Sequence, residues 1–218
     1  MLPELTLSSL KLSAQVFAEN LSRTPIPDLF GITDGKAVGT YVETKFKRYL
    51  EDLFTFSQGN AATGIDLPEL GVDLKTTSIT QPQSSCPYKD ASQKVYGLGY
   101  NLLIFVYSKG DQAATRTAHL DIKHVIFVDM EYTADYQTTK GIEEILNRNG
   151  NEDDILAFLE DRNLPLDEIG RLALAERIIK TPPKVGYLTI SNALQWRLQY
   201  GRVITKAGKV KGVEELHV

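Results

Sequence analysis

One cysteine, Cys86, stands in 218 residues. That excludes an intramolecular disulfide and any zinc site built on paired cysteines, and a lone thiol fits a reducing compartment. Long apolar runs are missing too; nothing approaches the roughly 18 residues needed to cross a bilayer. The first residues, Met-Leu-Pro-Glu-Leu, lack the basic start and apolar stretch of a secretory signal. The expectation is a cytoplasmic protein with no membrane segment. A positive balance is also lacking: 24 Lys+Arg against 28 Asp+Glu give −4, which argues against a uniformly basic nucleic-acid surface. No internal repeat or low-complexity tract is visible.

What charge there is lies unevenly. Val128 to Ile178 holds 13 acidic and 5 basic residues, whereas Ile179 to Val218 holds 7 basic and 2 acidic. A polarised chain can still offer phosphates a basic surface. The length suits one α/β core rather than two. The expectation is a single domain over 1–218, ending in a basic tail from Arg202 to Val218.

Apolar spacing predicts a helix over 8–22, with Leu10, Val16, Phe17 and Leu21 inward. A second is predicted over 37–56, with a buried stripe of Val42, Phe46, Tyr49, Leu53 and Phe56. A loop at 59–64 leads into a strand over 70–76. Residues 80–99 are polar and rich in turn formers, so they read as a long loop. Asn101 to Tyr107 and the apolar run Val125 to Val128 read as central strands buried on both faces. Helices are predicted at 138–148, 152–162 and 166–180, a strand at 185–190 and a closing helix at 191–200. This order suggests an α/β fold, a mixed β-sheet flanked by helices.

The richest chemistry lies in Asp66-Leu-Pro-Glu-Leu-Gly-Val-Asp-Leu-Lys-Thr-Thr77. Alternation puts Leu70, Val72 and Leu74 on one strand face and Gly71, Asp73 and Lys75 on the other. Asp66 arrives from the turn before, where Pro68 and Gly71 supply sharp geometry. Glu43, on the preceding helix, can reach the same place. Carboxylates suit a hard cation such as Mg2+. The lysine is placed to orient or deprotonate a water, or to stabilise charge on a phosphate. The other reading is a solvated strand face. Asp121-Ile122-Lys123 repeats the Asp-x-Lys pattern and reads as ordinary strand-edge polarity.

Pro68-Glu69-Leu70-Gly71-Val72-Asp73-Leu74-Lys75-Thr76 resembles the catalytic strand of the MutH-like nucleases, a group of the PD-(D/E)xK superfamily that includes type II restriction endonucleases and a mismatch-repair nicking enzyme. Gly35-Lys36-Ala37-Val38-Gly39-Thr40-Tyr41-Val42-Glu43 resembles the start of the family's helix, and the two motifs come in the family's order. The resemblance implies a restriction-endonuclease-like fold. It implies catalytic roles for Glu43, Asp66, Asp73 and Lys75, and a Mg2+ ion held by Asp66 and Asp73 with the Leu74 carbonyl and Glu43 completing the site. The chain departs from the family in having Asp73 where Glu is usual, Gly35-Lys36 where the family has Lys-Gly, and a longer gap between Glu43 and Asp66.

The implied activity is Mg2+-dependent, site-specific hydrolysis of double-stranded DNA, as in type II restriction. The alternatives are a mismatch-repair nickase or an inactive DNA-binding module of the same fold. Implied partners are double-stranded DNA and, in function, a cognate DNA methyltransferase, with the enzyme a homodimer or a monomer. Candidate DNA contacts are Lys36, Lys45, Thr76, Thr77, Lys89, Lys94, Lys206 and Lys209. Lys47 and Arg48 are further phosphate candidates, and Gln81, Gln83 and Gln93 are groove candidates. Trp196 and Tyr200 read as core rather than as stacking platforms.

Overall fold

A computed structural model describes residues 2–57, 59, 64–86, 89–191 and 196–217. Helix α1, Leu7–Arg23, starts at Thr6, whose hydroxyl and Ser9 satisfy each other's backbone amides. Leu10, Ala14, Phe17 and Leu21 form its buried stripe. Val16 is 39% exposed, not core, because it sits a quarter-turn from Phe17. Helix α2, Gly35–Glu51, is capped by Asp34, which accepts from the amides of Lys36 and Ala37. It ends five residues before the predicted end. Thr55 instead donates to the Pro3 carbonyl and accepts from Leu5, so the chain leaves the helix to pair with the N-terminal segment. Leu53 is consequently exposed and Phe56 only partly buried.

The main sheet contains β1 Val72–Ser78, β3 Asn101–Gln112, β4 Thr117–Val128 and β7 Val213–His217, in the order β1-β3-β4-β7. β1 runs parallel to β3, and the other two pairings are antiparallel. Both faces of β3 are covered, which explains its unbroken apolar run. Leu103 and Phe105 meet α1 and α2, where the rings of Phe17, Phe46 and Phe105 pack at 5.0–5.8 Å. Leu102, Ile104 and Val106 face the other way, onto Leu188, Leu198, Tyr200 and Val203. The acidic region forms α4 Tyr136–Asn147, α5 Glu152–Asp161 and α6 Glu168–Lys180, with a separate small core around Ile142, Ile155, Leu159 and Ile178.

Three expectations are corrected. The polar 80–99 segment contains strand β2, Gln83–Cys86, and a short helix α3, Gln93–Tyr96. The closing helix is instead strand β6, Trp196–Gln199, in a second antiparallel sheet ordered β2-β6-β5, with β5 at Thr189–Ile190. Leu198 and Tyr200 point inward while Arg197 and Gln199 are exposed, a period of two that overrides helix propensity. Tyr200 is fully buried; the Trp196 side chain and most of the 59–64 loop lie outside the described residues. The basic tail is built of regular structure. It forms α7, Gly201–Lys206, and then the edge strand β7.

Candidate active site

The site lies at the exposed edge of β1, and a sharp turn builds it. Pro68 opens a single 3-10 turn, Pro68–Leu70, and Gly71 closes it at φ +59°, a conformation that a Cβ disfavours. Leu67 and Val72 then exchange backbone hydrogen bonds at 2.9 and 3.1 Å. Asp66 is thereby brought level with the strand, and its Oδ2 accepts the Leu74 amide at 3.0 Å. That amide points away from β3, so without Asp66 it would be an unpaired edge donor. Within a strand a residue's carbonyl points to the same side as its amide, so the Leu74 carbonyl faces the Asp66 side as well.

Helix α2 supplies the other wall. Gly39 faces β1, where a Cβ would stand at ordinary contact distance, 3.7 Å, from the Thr76 carbonyl oxygen. Glu43 is one turn further on, and Lys47 one turn beyond that. Lys47 pairs with Asp66 Oδ1. Lys75 Nζ pairs with Asp73 Oδ2 at 2.6 Å, and this aspartate side chain is only 6% exposed. Asp66 and Asp73 lie close enough for each to influence the other's ionisation. Among the described residues no three carboxylate, thiol or imidazole groups close into a ready-made metal shell; two ammonium groups hold the aspartates instead.

The electrostatics follow from this crowding of acids. Burial pushes Glu43 up from its ordinary 4.5 to about 7; Lys75 pulls it down, and Asp66 and Asp73 push it further up. The Thr76 hydroxyl lies near enough to favour the charged form of Glu43, without completing a hydrogen bond. Burial likewise raises Asp73 to about 6, against the pull of Lys75. Burial also opposes ionisation of Asp66, but its neighbours Asp73, Lys47 and the Leu74 amide outweigh it and hold this carboxyl below its usual range. Burial would depress the Lys75 ammonium; Asp73, Glu43 and Asp66 outweigh that and raise its pKa. Such a lysine is a fixed cation at neutral pH, not a ready base.

Glu43 and Lys75 line a cleft of about 1080 Å³, together with Lys36, Thr76 and Thr77. Asp66 and Asp73 are not among its lining residues; Asp73 meets it only through its contact with Lys75. Lys36 and Lys45 are exposed on α2, and Lys45 rests over the Tyr41 ring at 5.5 Å. Arg48 is exposed one residue beyond Lys47. Thr77 is buried and ties β1 to β2, its hydroxyl accepting the Gln83 amide at 2.9 Å. Lys89 is exposed and extends over Gly64. Lys94 is 3% exposed beside Asp135. Its burial removes it from the phosphate candidates, and Gln93, whose side chain bonds Leu98 and Lys89 backbone groups, leaves the groove candidates. Lys206 is exposed in a smaller hollow that Gln199 and Arg202 also line, and Lys209 is exposed nearby in the chain; neither lysine lines this cleft. Asp121 and Lys123 pair with each other on the exposed part of β4, the ordinary polarity expected of them. Lys47 is the residue that the sequence reading left among surface cations. Its spacing of four from Glu43 was the available signal.

Residues 4–215 match the protein family described as type II restriction enzyme NspV. A curated relative, the type II restriction enzyme NspV of Nostoc sp. (strain ATCC 29411 / PCC 7524), is 57% identical over 209 residues, covering 96% of this chain and 95% of its own. No solved structure gives a significant match.

Proposed function

The chain belongs to the type II restriction enzyme NspV family, and on that premise we propose that it makes Mg2+-dependent cuts in double-stranded DNA at a short specific site through Glu43, Asp66, Asp73 and Lys75. It is a restriction endonuclease. The carrying observation is the clustering of Asp66 and Asp73, each paired with a lysine, with Lys75 at 2.6 Å from Asp73 and lining a cleft together with Glu43.

The donor set fits a hard cation. Asp66 and Asp73 offer carboxylate oxygens, the Leu74 carbonyl is on the same side, and Glu43 stands close enough to take part through water. When bound, Mg2+ would polarise the phosphoryl oxygen and acidify a water. The chain's own groups do the rest. Lys75, surrounded by three carboxylates, stays an ammonium and offsets negative charge that grows on the phosphate during attack. Lys47 fixes the orientation of Asp66. Gly71 fixes the turn that brings Asp66 to Asp73. Lys36 and Lys45 on α2 are suited to phosphate contact, which orients the duplex without reading it. A methyltransferase protecting the same site is the expected functional companion.

Digestion of supercoiled plasmid with and without Mg2+ tests this reading. The expected result is linear fragments with identical end sequences, only with the metal. Metal-independent cutting, or random ends, contradicts it.

A further inference from the structure

The remaining wall of the cleft is the second sheet, which the catalytic reading leaves without a role. β2 and β6 pair Gln83 with Gln199 and Ser85 with Arg197. Directly paired residues of an antiparallel ribbon share a face. The opposite face is anchored: Ser84 bonds the hydroxyl of fully buried Tyr200 at 2.5 Å, and Leu198 is fully buried. Thr77 clamps β2 to the catalytic strand through the Gln83 amide. Gln83, Ser85 and Arg197 therefore stand on one face of a ribbon anchored from behind, and all three line the same cleft as Glu43 and Lys75.

The chemistry of this face differs from that of a phosphate grip. Its one cation is set among amides and a hydroxyl, groups that match base edges rather than a line of negative charge. Lys109, also in the cleft wall, is held by Asp111. Arg197 has no ion-pair partner among the described residues, and it is exposed. An antiparallel ribbon fits the major groove, where a guanidinium can bond N7 and O6 of guanine together. Resting on the nuclease reading above, we propose that the β2–β6 ribbon is the sequence-reading element and that Arg197 recognises a guanine in the site, with Gln83 and Ser85 as its polar neighbours.

The test begins with the site defined by sequencing the ends of wild-type digests. Wild type, Arg197→Ala and Arg197→Lys are then assayed on duplexes in which each guanine of the site is replaced in turn by 7-deazaguanine, which lacks the N7 acceptor. One such replacement should slow wild-type cleavage about ten- to a hundredfold. Arg197→Ala should lose a similar factor on the unmodified site and nothing further on that modified duplex. Arg197→Lys should not rescue, because a point charge cannot reproduce the two-pronged contact. Thermal midpoints should match wild type. Wild-type rates unchanged by every replacement, independent multiplication of the two losses, or full activity in Arg197→Lys would each overturn the proposal. The wild-type measurement decides even where a variant misfolds. Failure of wild type to cut at any defined site would instead remove the nuclease reading itself.

Discussion

Glu43→Gln should make the metal-free protein more stable at pH 8 than wild type while impairing cleavage. Burial moves the Glu43 pKa from 4.5 to about 7. Between those values the folded chain binds a proton that the unfolded chain has released, so stability falls as pH rises through this window. A change from 4.5 to about 7 corresponds to about 3 kcal/mol, or about 2 after allowance for the solvent around a partly exposed group. Glutamine carries no charge and avoids this cost at every pH. The assay is urea unfolding of both proteins in a chelator at pH 5, 6, 7 and 8. The advantage of the variant should be small at pH 5 and grow by about 2 kcal/mol by pH 8. A difference that stays flat with pH, or a variant less stable than wild type at pH 8, would refute the claim that Glu43 is held against its charge.

Lys75→Ala and Asp73→Ala should each abolish cleavage, by about a thousandfold or more, while a gel shift in Ca2+ shows DNA binding within a fewfold of wild type; Lys75→Ala cutting at the wild-type rate contradicts the assignment. Mg2+ or Ca2+ affinity should rise with pH from about 6 to 8, because the cation must displace protons that Asp73 at about 6 and Glu43 at about 7 retain. Titration calorimetry in buffers of different ionisation enthalpy would register the released protons, and a pH-independent affinity would contradict this. Gly71→Ala meets open space but must adopt φ +59°. It should lose about 1–2 kcal/mol in urea unfolding and also lose cleavage through displacement of Asp66; an unchanged midpoint would show that the turn tolerates a Cβ.

The sequence was most legible where one physical pattern acted alone. Leu10, Phe17 and Leu21 on α1, and Val42 and Phe46 on α2, are core because helical spacing leaves them no other face. The apolar run in β3 announced a strand covered on both sides. The short span from Asp66 to Lys75 let local turn chemistry bring Asp66 to Asp73, so this part of the cluster could be read without tertiary knowledge. Where two patterns competed, the reading failed. Trp196 to Tyr200 alternates, yet the segment around it has helix-compatible residues, and only pairing with distant Gln83–Cys86 decides for a strand. The C-terminal cations read only as a basic tail because β7 depends on β4, some 90 residues earlier in the chain. Lys94 looked like a surface lysine, and only the fold brings Asp135 beside it. Lys47 was visible as a charge, but its pairing with Asp66 depends on how α2 packs on β1.

The most direct test is a crystal of the protein with its site-containing duplex and Mn2+, read by anomalous scattering. The account predicts a peak within about 2.0–2.4 Å of carboxylate oxygens from both Asp66 and Asp73, with Lys75 beside the scissile phosphate. A peak elsewhere, or Asp66 and Asp73 still paired with Lys47 and Lys75 at saturating metal, would contradict it.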